Sequence, residues 1–71
     1  MLDRNNGGVY VQMTRVETSV FFGDQREARV YYDTGTESYK VLFIDYENNL
    51  QKEFTYAHRQ LAEDAAEDWC L

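Results

Sequence analysis

The sequence predicts an α+β fold: a four-stranded antiparallel meander followed by one C-terminal helix packed on one sheet face. Two observations carry this. Four strand-like runs are separated by short clusters of Gly, Asn and Asp, residues that tolerate positive φ. Past residue 56 the apolar spacing changes from a period of two to that of a helix.

The first run is Val9–Phe22, whose 14 residues exceed the usual strand length of about 3–10, so a bulge or break is expected near Thr14–Thr18. Gly23-Asp24-Gln25 turns the chain into the second run, Arg26–Asp33. Asp33-Thr34-Gly35-Thr36 leads to the third, Ser38–Tyr46, and Glu47-Asn48-Asn49 to the fourth, Leu50–Thr55. Connections this short imply hairpins, not crossovers. In the last segment, with the helix expected over residues 57–70, Leu61, Ala62, Ala65, Ala66 and Trp69 share one face. Thr55 offers a side-chain cap. The three alanines permit close approach to the sheet, with Trp69 filling the gap at one end. The whole chain, residues 1–71, reads as a single domain.

The third run is apolar on both faces. Tyr39, Val41 and Phe43 point one way, and Leu42, Ile44 and Tyr46 the other. One helix covers only one face, and a chain of this length has no second layer to offer. A homo-oligomer is therefore expected, with Tyr31, Tyr39, Val41 and Phe43 in the subunit contact. The alternative is a twisted sheet that leaves its tyrosine rings half exposed.

Composition narrows the function. In 71 residues, 13 Asp and Glu oppose 7 Lys and Arg, for a formal net charge of −6. That balance repels phosphates, and the basic residues do not cluster, so no nucleic-acid partner is expected. The aromatic residues could stack bases, but Arg26, Arg29 and Lys40 are offset by Glu27, Asp33 and Glu37. A single Cys excludes an internal disulfide, and one Cys with one His cannot build a zinc site. No cofactor is expected. No apolar run of about 18 residues suggests a membrane helix, and the polar N-terminus lacks a signal core, so a cytoplasmic setting is expected.

The helix supplies the one charged patch. Glu63 and Glu67, and Asp64 and Asp68, are like-charge pairs at i, i+4. Two of these acids sit near the helix C-terminus, where negative charge is disfavoured, and the combined cost is about 1 kcal/mol. Three roles suit such a face: a solvated surface, a docking face for a basic protein partner, or a hard-cation site. His58 lies in the expected first helical turn with no spacing that links it to Ser19, Ser38 or Cys70, so no catalytic set is assigned. Cys70 stands beside acids that disfavour a thiolate.

Tyr39, Val41, Phe43 and Asp45, followed by Ala62-Glu63-Asp64-Ala65-Ala66-Glu67-Asp68-Trp69, resemble small uncharacterised proteins of marine cyanobacterial phages. The resemblance covers the C-terminal half. It implies a virus-encoded protein of the host cytoplasm and carries no catalytic residue. The uncapped ending Trp69-Cys70-Leu71 suggests a fragment of a longer protein.

Three readings follow. The first is a non-enzymatic homo-oligomeric interaction or structural protein. The second is an acidic inhibitor or decoy that docks its helix face on a basic host protein. The third is a small ligand-binding or enzymatic unit with its site at a subunit interface.

Overall fold

A computed structural model describes residues 14–71. Strands β1 (Arg15–Gly23), β2 (Arg26–Asp33), β3 (Ser38–Asp45) and β4 (Leu50–Tyr56) precede helix α1 (Arg59–Cys70). The strands form one antiparallel sheet in the order β1-β2-β3-β4, and α1 lies against it. Residues 9–13 of the expected first strand lie outside the described residues.

The irregularity expected from the length of the first run is present. The β1–β2 register shifts between Glu17 and Ser19. Thr18 sits in the extra position, and its hydroxyl donates to the Val30 carbonyl at 3.3 Å. The other two ladders run without interruption.

The turns use side-chain oxygens in place of backbone ones. Asp33 Oδ1 accepts from the Gly35 and Thr36 amides, and Asp45 Oδ1 from those of Glu47 and Asn48. Both aspartates are buried. No described glycine takes positive φ. Gln25, Glu37 and Asn49 occupy the left-handed region instead, at φ 64°, 53° and 56°.

The helix starts later than its apolar spacing suggested. Tyr56 still pairs with Tyr39, so β4 runs through Thr55, and the Thr55 hydroxyl accepts from Lys40 Nζ and caps nothing. His58 is the N-cap, extended and without a side-chain cap bond. At the other end no basic residue lies in the last turn. The sheet supplies one: Arg26 Nη1 donates to the Trp69 carbonyl at 3.3 Å.

The core is small on small. Ala28, Val30, Val41 and Phe43 from β2 and β3 meet Ala62 and Ala66 of α1. Phe21, Tyr39, Tyr56, Ala65, Trp69 and Cys70 pack around them. A Cβ on Gly23 would lie 2.0 Å from the Cys70 carbonyl oxygen, so the close approach of the last helical turn to β1 requires glycine there. Leu61, expected on the buried face, is 53% exposed.

Candidate functional site

The structure separates the four residues expected at a subunit contact. Tyr39, Val41 and Phe43 stand on the face that α1 covers, and Val41 and Phe43 are buried within the subunit. Tyr31 shares the opposite face with Lys40, Leu42 and Ile44. Val41 and Phe43 therefore have no area to give a second chain. The sequence identified two apolar faces but not which one the helix takes. Ala28 decides it, because the only strand alanine lies on the face where the helix alanines can come closest.

The face away from α1 is screened by its own charged side chains. Arg15 reaches from β1 to make two bonds to the Glu53 carboxylate on β4, at 3.1 and 2.9 Å. Arg29 joins Glu17 at 3.0 Å and also Glu27. Tyr46 donates its hydroxyl to Glu27 at 2.6 Å. That bond, with help from Arg29, holds the buried Glu27 carboxyl below its ordinary range. Under these side chains Val20, Leu42 and Ile44 are half-buried. The outer side of the third strand is thus partly covered from within the chain, while Phe22 and Tyr46 on the same face stay exposed.

The acidic helix face is less uniform than its sequence. Arg59 holds Glu63 at 2.9 Å, and Ser19 donates to the same oxygen at 3.0 Å. These bonds, Arg59 foremost, keep the Glu63 carboxyl low, which makes it a poor base for Ser19. Gln60 engages Asp64, while Glu67 and Asp68 are exposed. Among the described residues no group of three or more metal-binding side chains gathers. His58 is exposed at the helix start. Burial pushes the Cys70 thiol up, away from nucleophilic character. No helix of the described residues is long and apolar enough to cross a membrane.

Two features of β4 remain. First, it is an edge strand, paired on one side with β3 and exposed over Leu50–Thr55. Second, α1 sits mainly over β2 and least over β4, so a cleft of about 180 Å³ opens between α1 and the edge strand. Phe43, Lys52, Phe54, Tyr56 and Trp69 line it. Phe43 packs edge-on against both Phe54 and Trp69, with ring centroids 5.8 and 5.3 Å apart. The Trp69 indole is pinned by a 3.0 Å bond from Nε1 to the Ile44 carbonyl. Reading the sequence alone did not reach this cleft. The alternation Leu50, Lys52, Phe54, Tyr56 signals one face of a strand, but nothing local shows that the helix stops short of it.

No family model, curated protein or solved structure matches the chain.

Proposed function

We propose that this chain is a non-enzymatic homo-oligomeric interaction protein whose subunits join along β4. The observation that supports this reading is the condition of that edge. Its seven residues pair with β3 without a bulge, and six of them are exposed. The chain has no proline to interrupt the free side. Lys52 and Glu53 cancel, so β4 carries no net charge in a chain of net charge −6, and its own residues do not oppose pairing. Placed antiparallel about Phe54, two β4 strands set Phe54 against itself, Lys52 opposite Tyr56 and Glu53 opposite Thr55, with no like charges opposed. The need for a partner also fits the core, whose largest fully buried side chains are Val30 and Val41.

The resemblance of the C-terminal half to phage proteins is the reason for setting this reading in an infected host's cytoplasm. The acidic-decoy reading is left with less, since Glu63 and Asp64 already have partners within α1.

Light scattering after gel filtration, at low and high salt, tests the proposal. A dimer is expected at both. Leu50→Lys combined with Gln51→Lys adds cations to two exposed edge positions and should give a folded monomer. A wild-type monomer at both salts, or a doubly substituted chain that stays dimeric, would remove this reading.

A further inference from the structure

We propose that the cleft between α1 and β4 is a binding site for a small aromatic carboxylate. Its shape fits a ring. Four aromatic side chains line an open cleft of about 180 Å³, and a cavity of about 150 Å³ already accepts benzene. That leaves room for one ring and a short acidic arm. The walls are held in place independently of any ligand. Trp69 is fixed by Ile44 below and by the Arg26 guanidinium, 4.4 Å from its ring, while Phe43 is locked in the core. Two walls, Trp69 and Phe43, are thus preformed, while the exposed Lys52 and Phe54 are left to order on binding.

Its charge fits an anion. Lys52 lies in the lining with Nζ 5.5 Å from the Trp69 ring centroid. Arg15, Arg29 and Arg59 each hold carboxylates, whereas Lys52 makes no ion pair among the described residues. In a chain of net charge −6, an ammonium that meets apolar rings with no carboxylate partner among the described residues selects a ligand that is itself apolar and negative. A cationic ligand would meet Lys52 and Arg26, which already stand over the Trp69 ring. The cleft shares Lys52, Phe54 and Tyr56 with the paired edge, so the edge-substituted monomer is what separates the two proposals.

Trp69 is the only tryptophan of the chain and reports on the site directly. The experiment is a fluorescence titration with phenylacetate, with the neutral phenylacetamide as control. Saturable change is expected, half-complete near about 1 mM for a ligand this small. Lys52→Gln should weaken phenylacetate about fivefold and leave phenylacetamide unchanged. Phe54→Ala, an exposed position outside the buried core, should weaken both. The edge-substituted monomer, Leu50→Lys with Gln51→Lys, should still bind. Absence of saturation up to about 20 mM, or a Lys52→Gln chain that binds phenylacetate as well as the wild type does, overturns the proposal. Binding by a wild-type chain that proves monomeric would discard the edge pairing and keep the cleft.

Discussion

At the β1 edge the ladder slips at Thr18, Arg15 and Glu17 are drawn into ion pairs across the sheet, and the last turn of α1 presses on Gly23. At the β4 edge the ladder is regular, the residues are exposed, and α1 stands back far enough to leave a cleft. The two edges thus differ in regularity and in cover: β1 carries the bulge and the last turn of α1, while β4 is unbroken and keeps its charges, Lys52 and Glu53, one on each face. Bulges and inward-held charges are the means by which sheets discourage edge-to-edge contact. The bulge and the last turn of α1 lie on the β1 side, and the proposed pairing and the proposed ligand both use the β4 side.

The largest expected effect tests the anchoring of α1 at β1. Gly23→Ala puts a methyl group where the Cys70 carbonyl stands and should destabilise the fold by about 2–3 kcal/mol in urea unfolding. Gln51→Ala on β4 should cost less than about 0.5 kcal/mol. Equal losses at the two positions would erase the contrast between the edges.

Acid should act next, on the carboxylates that tie α1 and β2 to their neighbours. Glu63 links α1 to β1 through Ser19, and Glu27 anchors the charged face through Tyr46 and Arg29. Both carboxyls are held below their ordinary value of 4.5 in the folded chain. A carboxyl of lowered pKa adds stability above its unfolded value, and that stability is lost as pH falls through the folded one. The urea midpoint should therefore hold from pH 7 to about 5 and decline below about 4.5. Glu63→Gln should flatten that decline, and an unchanged slope would mean that the tie to β1 contributes nothing.

The smallest effect compares the turn at the β1 end with the turn that feeds β4. Gln25 and Asn49 both take left-handed backbone, but asparagine tolerates it and glutamine does not. Gln25→Gly should stabilise by up to about 1 kcal/mol, and Asn49→Gly by close to nothing. Thermal unfolding of the two variants side by side distinguishes them.

Much of this architecture was legible in the sequence because local chemistry determines it. The Gly, Asn and Asp clusters mark the three turns, the excess length of the first run marks its bulge, and the alanine spacing marks the helix. Side selection was not legible. Alternation in β3 assigns Val41 and Leu42 to opposite faces without saying which meets α1. That depends on Ala28 and Gly23, whose small size matters only once strand and helix are brought together. The charged cover was missed for a similar reason. Arg15 and Glu53 are 38 residues apart in sequence, and no pattern within either strand announces their pairing. The cleft depends on where α1 comes to rest, a property of the assembled core.

The poorly capped helix has a consequence in time. It has no side-chain N-cap, no acid in its first turn and no base in its last, and two of its acid pairs repel. A helix of 12 residues with these defects does not persist alone in water. Its supports are Arg26 and Ser19, which stand 43 and 44 residues earlier in the chain than the groups they hold. The hairpins close over short loops, so the expected order is strands first and α1 docking on them last. Until that last step Val30, Val41 and Phe43 face water. The interval before α1 docks is when this chain is most exposed to aggregation and to proteases, and its length is set by the rate at which the final segment finds the sheet.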